Sequence, residues 1–79
     1  MLKHKEEQTV VAFPNTTSAL AMEAACIEAD IPGSIIPVPN QITAACGFAW
    51  RAPAKERERI ERFLAENGLT FDRVYTLEL

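Results

Sequence analysis

Cys46 is the residue of this sequence with the most evident chemistry, and Gly47 follows it directly. A cysteine acts as a nucleophile in its thiolate form. The second cysteine, Cys26, lies in an alanine-rich stretch, where we interpret it as a packing residue. The two cysteines form no Cys-x-x-Cys pair, so we expect no metal and no cofactor. Nothing in the sequence indicates an oxidising compartment, and both thiols are expected to be reduced.

A catalytic partner for Cys46 is missing from the ordered part of the sequence. His4 is the single histidine, and it lies in a charged opening segment, residues 1–8, which we expect to be mobile. Without a second histidine in the ordered region, the cysteine–histidine pair of many activated nucleophiles is incomplete. We therefore interpret the chain as a carrier or binding domain rather than a stand-alone catalyst. A purely structural role for Cys46 stays open on these residues.

Composition narrows the classes of function. The chain has 79 residues, of which 48% are hydrophobic, and a formal net charge of −3. This size predicts one domain, over residues 9–79. An acidic balance disfavours nucleic-acid binding, which normally requires a basic surface. The apolar runs are far shorter than a membrane span, and the opening segment lacks the apolar stretch of a secretory signal. These features predict a cytoplasmic protein.

The pattern of apolar residues and helix breakers predicts four strands and two helices. Strands are expected at residues 9–13, 34–38, 47–52 and 71–79, and helices at residues 17–30 and from Pro53 to Asn67-Gly68. The order β-α-β-β-α-β is typical of the ferredoxin-like sandwich, an α+β fold with a four-stranded antiparallel sheet and two helices on one face. The expected core contains Leu20, Ile27, Phe48, Ile60, Phe63 and Leu64.

This topology brings Cys46 close to the start of the first helix. The loop before the third strand and the N-terminus of the first helix meet at the same edge of such a sheet. A helix N-terminus offers unpaired N–H groups and partial positive charge, which stabilise a thiolate or a bound anion. We therefore predict that Cys46 is exposed there, and that anions are bound by Asn15, Thr16, Thr17, Ser18 and Gly47.

Three segments resemble a known family. They are residues 36–39 (IPVP), residues 46–51 (CGFAWR) and residues 16–23 (TTSALAME). Together they are similar to the bacterial selenium/sulfur (Se/S) carrier protein-like family, a domain of unknown function. The resemblance implies that Cys46 carries sulfur or selenium. At Asn40, Ala44 and Ala45 the chain departs from the family pattern, which has a basic residue and serines there, and it offers fewer groups to an anionic sulfur species.

Two functions follow as hypotheses. In the first, Cys46 accepts sulfur or selenium from a donor protein, holds it as a persulfide or selenylsulfide, and passes it to an acceptor protein. In the second, the chain is a non-catalytic protein-interaction or small-ligand-binding module in which Cys46 is structural. A sheet of the RNA-recognition type that uses Phe13 and Trp50 is disfavoured by the acidic charge.

Apolar surface left over after folding predicts a homodimer. The first helix carries Met22, Ala25, Cys26 and Ala29 opposite its expected core stripe. The first strand is apolar on both faces, and a two-layer sandwich covers one face of its sheet. Exposed apolar area of this extent usually marks an interface, and twofold pairing is the commonest way to bury it.

Overall fold

The computed structural model describes residues 6–42 and 46–79. The elements are, in chain order, β1 (Glu7–Ala12), α1 (Thr16–Ala29), β2 (Ser34–Pro37), β3 (Phe48–Pro53), a 3₁₀ turn (Ala54–Glu56), α2 (Arg57–Glu66) and β4 (Arg73–Glu78). The predicted α+β class with four strands and two helices is confirmed. Residues 1–5 of the predicted opening segment lie outside the described residues, and β1 begins at Glu7 rather than at residue 9.

The four strands form one antiparallel sheet in the order β2-β3-β1-β4. β1 is central and pairs with β3 and with β4. β2 lies at an edge, as its Pro37 predicts, because proline cannot donate to a ladder on both sides. Since β3 is antiparallel to both neighbours, β1 and β2 run parallel with β3 between them.

Local side-chain chemistry determines where the helices begin and end. The side-chain oxygen of Asn15 accepts a hydrogen bond of 2.8 Å from the Ser18 N–H, which caps α1. Asp30 ends α1 in the left-handed conformation, with φ of 58°, and Pro32 follows. α2 begins at Arg57, after a 3₁₀ turn, so the prediction that Pro53 is its first residue is wrong. Asn67 ends α2 as predicted, with Gly68 at a φ of 60°.

The core-facing side of α1 differs from the prediction. Leu20 and Ile27 are 53% and 72% exposed, whereas Ala19, Met22 and Cys26 are fully buried. Both sides of this helix are apolar, so periodicity alone cannot tell which side faces the sheet. Trp50 of β3 and Phe13, directly after β1, contribute their large rings to the same core. Small or flexible side chains fit against large rings, whereas two layers of large side chains would overfill the space.

Both helices pack into one hydrophobic core on one face of the sheet. Ile60, Phe63 and Leu64 of α2 are buried, as predicted, and they share this core with Met22 and Trp50. The prediction that Phe48 is buried is wrong, because its side chain is 41% exposed. Phe48 pairs with Pro37 at the end of the β2–β3 ladder, where fewer neighbours surround a side chain.

The other face of the sheet is covered by the chain itself. The Gln41 amide in the β2–β3 connection donates a 3.1 Å hydrogen bond to the Glu78 carbonyl of β4. β2 and β4 are opposite edges, and the helices fill the first face, so the connection reaches β4 across the second face. Val10, Ala12 and Ala49 of that face are fully buried. The prediction of an open sheet face is therefore wrong.

Candidate functional site at the Cys46 thiol

Cys46 lies two residues before the start of β3, beside the first turn of α1. Its sulfur is 3.8 Å from the hydroxyl oxygen of Thr16, the first residue of α1, and either group can donate in this contact. The backbone N–H of Phe48 donates to the same sulfur at 3.4 Å. The topology therefore places the thiol at the helix N-terminus, where the sequence predicts it.

The thiol is buried rather than exposed, contrary to the prediction. Cys46 is 4% exposed and belongs to the core cluster with Phe13 and Met22. Sequence spacing places a loop cysteine near a helix end but does not reveal how deeply it packs. Here the side chain points toward the junction of helix and sheet, where apolar neighbours surround it.

The predicted anion-binding residues separate into two groups. Thr16 contacts the thiol, whereas Asn15 and Ser18 are joined to each other by the helix cap, so the Ser18 N–H is already used. Thr17 and Gly47 are exposed, and open space surrounds the position that a Gly47 side chain would take. Of the predicted set, Thr16 alone has a described hydrogen bond to Cys46.

The polar contacts of Cys46 suit a negatively charged sulfur. A thiolate accepts hydrogen bonds and donates none, and both the Thr16 hydroxyl and the Phe48 amide can donate to it. The partial positive charge at the N-terminus of α1 acts in the same direction. The site can thus hold sulfur-centred negative charge on Cys46 or on an atom bound to it.

Cys26 lies in a different environment. It is fully buried in the core, and burial raises the pKa of its thiol to about 11. At neutral pH almost all of this thiol is protonated and unreactive. Both cysteines are free thiols, and the interpretation of Cys26 as a packing residue agrees with this position.

The described residues offer neither a metal site nor a helix that could span a membrane. Within residues 6–42 and 46–79, no three His, Cys, Asp or Glu side chains are grouped so that they could hold a metal ion. In the same part of the chain, no helix has both the length and the apolar character needed to cross a bilayer. Phe13 and Trp50 are buried beneath the helices, which removes them as a stacking surface for bases.

A match to a protein-family model shows which family this chain belongs to. The model described as "Putative Se/S carrier protein-like" matches residues 8–76. The chain belongs to this family. The match includes Thr16, Cys46 and Phe48, so the whole thiol site lies within the family's domain. No curated protein and no solved structure matches the chain.

Sequence reasoning missed one part of the site. The Phe48 amide is a backbone donor, and its direction depends on how the chain turns from Cys46 into β3. Gly47, between the two residues, has neither a positive φ nor a close contact at its Cβ position, so it gives no specific signal for this turn. Residues Ala44 and Ala45, where the chain departs from the family pattern, lie outside the described residues.

Proposed function

We propose that the chain carries sulfur or selenium on Cys46, as a persulfide or a selenylsulfide. The observation that carries this proposal is the pair of hydrogen-bonding groups at the sulfur, the Thr16 hydroxyl at 3.8 Å and the Phe48 amide at 3.4 Å. Membership of the Se/S carrier protein-like family supports it. Donor and acceptor are proteins that exchange sulfur or selenium with this thiol.

The loading step needs no external oxidant. The Cys46 thiolate attacks the terminal sulfane sulfur of a donor persulfide, a new S–S bond forms, and the donor leaves as a thiolate. The proton of the Cys46 thiol passes to solvent before attack. A donor of the form R–S–Se⁻ delivers selenium by the same displacement, with RS⁻ as the leaving group. In unloading, an acceptor thiolate attacks the terminal atom and releases the Cys46 thiolate.

We also propose a fold topology and a cellular location for the carrier. We assign the ferredoxin-like topology to residues 9–79, supported by the strand order β2-β3-β1-β4 and by two helices packed in one core. We also propose that the protein is cytoplasmic, where free thiols such as Cys26 and Cys46 persist.

Burial of Cys46 supports a second candidate function. At 4% exposure the thiol is less accessible than most reactive cysteines. In this alternative the chain is a protein-interaction or small-ligand-binding module, and Cys46 serves to pack α1 against β3. The two candidates differ in whether the Cys46 sulfur accepts another atom.

Sulfur loading tests the carrier function directly. The reduced protein is treated with sodium tetrasulfide, a donor small enough to reach a buried thiol, desalted, and analysed by intact and peptide mass spectrometry. We expect one added sulfur atom on Cys46, which dithiothreitol removes. Cys26→Ser should load like the parent, and Cys46→Ser should not load.

Thr16→Val keeps the shape of the side chain and removes its hydroxyl. Loss of one hydrogen bond of about 1 kcal/mol should slow loading by about fivefold. Equal loading of Cys46→Ser and the parent protein, or loading confined to Cys26, would reject the carrier function in favour of the binding module.

A further inference from the structure

A cavity of about 350 Å³ opens at the far end of β3 from Cys46. Its polar lining comes from neighbouring strands, with Gln8 of β1, Ser34 of β2 and Arg51 of β3. Pro32 and Pro53 supply apolar surface, whereas the Ala52 side chain belongs to the hydrophobic core. Arg51 is five residues beyond Cys46, which corresponds to about 17 Å along an extended strand. The cavity is therefore separate from the thiol site.

Arg51 forms no ion pair with a carboxylate in the part of the chain that the structure describes. The ion pairs within residues 6–42 and 46–79 join arginines and glutamates of α2 and the turn before it, and none of them includes Arg51. Residues 1–5 and 43–45 contain no aspartate or glutamate. No acidic residue lines the cavity either. The charge of Arg51 is thus available to a bound anion.

One wall of the cavity is held rigidly. The indole N–H of Trp50 donates a 3.3 Å hydrogen bond to the Pro32 carbonyl, which ties the turn before β2 to the core. Gly33 follows with φ of 130°, and a Cβ there would collide with the Trp50 indole and the Arg51 carbonyl oxygen. The turn consequently lies directly against β3. A preformed wall lowers the ordering cost of binding.

We propose that this cavity binds a small organic monocarboxylate. The Arg51 guanidinium matches a carboxylate with two parallel hydrogen bonds, and the Ser34 hydroxyl and Gln8 amide are neutral donors within the same lining. Pro32 and Pro53 can pack against an apolar group. The volume lies within the usual range for small-molecule sites.

The charge of the chain favours a carboxylate over a phosphate. Among residues 6–42 and 46–79 the lining offers one cation, Arg51, and the formal net charge of the chain is −3. A dianion would leave one charge without a partner and would be repelled more strongly by the rest of the molecule. A monoanion balances Arg51 alone.

Benzoate is a suitable probe, with benzamide as its neutral counterpart of the same shape and phenyl phosphate as a dianion. Each is titrated into the ¹⁵N-labelled protein while the amide signals of Gly33, Ser34 and Ala52 are followed by NMR. We expect saturable shifts with benzoate and at least about tenfold weaker binding of benzamide, corresponding to loss of a charged hydrogen-bonded pair.

Two arginine variants make the test specific. Arg51→Gln should weaken benzoate binding by about tenfold or more, whereas Arg62→Gln, an equal charge change on the exposed face of α2, should leave it unchanged. Spectra of both variants verify their folds. Equal affinity for benzoate and benzamide, equal effects of the two variants, unsaturable shifts, or tighter binding of phenyl phosphate would each overturn the proposal.

Discussion

Cys26 and Cys46 are both buried, 0% and 4% exposed, yet their surroundings give them different chemistry. Cys46 has a hydroxyl and a backbone amide at its sulfur. For Cys26, desolvation by burial raises the pKa to about 11. A charged sulfur is therefore compatible with the polar contacts of Cys46 and strongly opposed at Cys26.

The raised pKa of Cys26 predicts loss of stability at alkaline pH. Its pKa rises from an ordinary value of 9.0 to about 11 on folding, so the folded state binds this proton more tightly than the unfolded state. The free energy of unfolding should be unaffected below about pH 9 and should fall by about 2 kcal/mol as the pH rises to about 11. Urea unfolding at several pH values measures it.

Cys26→Ala is the control for the alkaline effect. It should be less stable at neutral pH, since it removes a buried side-chain atom, but its stability should decline less steeply above about pH 9. Parallel declines in the parent and the variant would show that other groups, and not Cys26, cause the alkaline loss.

The three glycines make a graded test of local backbone requirements. Gly33→Ala should cost about 2–4 kcal/mol, because the new Cβ collides with Trp50 and Arg51 and the φ of 130° is strained for alanine. Gly68→Ala should cost about 1 kcal/mol, since its φ is 60° but space is open. Gly47→Ala has open space and should change stability by less than about 0.5 kcal/mol.

Chemical unfolding of the three variants gives these values. A Gly33→Ala protein as stable as Gly47→Ala would contradict the tight approach of the Pro32–Gly33 turn to β3. It would also remove the rigid wall on which the proposed carboxylate site depends.

Helix α1 is the element whose orientation the sequence does not reveal. It carries apolar side chains nearly all round and has no basic residue, whereas α2 separates buried and charged sides clearly. Ion pairs such as Arg62–Glu58, at 3.4 Å, lie on the exposed side of α2 and indicate which side faces solvent. α1 offers no comparable pattern, so packing against the sheet determines its rotation.

Two substitutions on α1 test this orientation. Met22→Ala should destabilise the fold by about 2–5 kcal/mol, because it leaves a cavity in a fully buried position. Ile27→Ala, a change of similar size at a side chain that is 72% exposed, should stay within about 0.5 kcal/mol of the parent. Thermal or urea unfolding ranks the two, and the reverse ranking would mean that Ile27 faces the core.

At the level of the whole molecule, several apolar residues from which the sequence predicts a homodimer are buried within the chain. Val10 and Ala12 are fully buried, and Met22 and Cys26 lie in the core. Those residues therefore cannot form a dimer interface. Leu20 and Ile27 of α1 remain exposed, with Ala24 between them, and this stripe is where we now place the predicted self-association.

Sedimentation at micromolar concentration tests the homodimer. We expect a species of twice the 8.8 kDa chain, reduced to the monomer by Leu20→Glu with Ile27→Glu, because two carboxylates would be buried in the interface. Ala65→Glu, at an exposed position of α2, is the control and should remain dimeric. A parent protein that sediments as the monomer would reject self-association.

Local sequence signals alone determine most of the helix ends, the strands and the order of the elements. Asn15 and Asn67-Gly68 mark helix ends because capping depends on residues close in sequence. Alternation predicts the third and fourth strands, and residues that favour strands predict the first. The element order predicts that Cys46 meets the start of α1. These inferences depend on chain geometry over a few residues or on the few ways in which such elements connect.

Tertiary structure determines the features that local sequence patterns do not distinguish. The side of α1 that faces the sheet, the burial of Cys46 and the covering of Val10 and Ala12 all depend on which surfaces fill the space between distant segments. The position of the Phe48 amide at the thiol and the cavity beside Arg51 depend on the same packing. Close packing selects one arrangement among several with the same apolar pattern, and that selection depends on three-dimensional shape, which periodicity in one dimension does not contain.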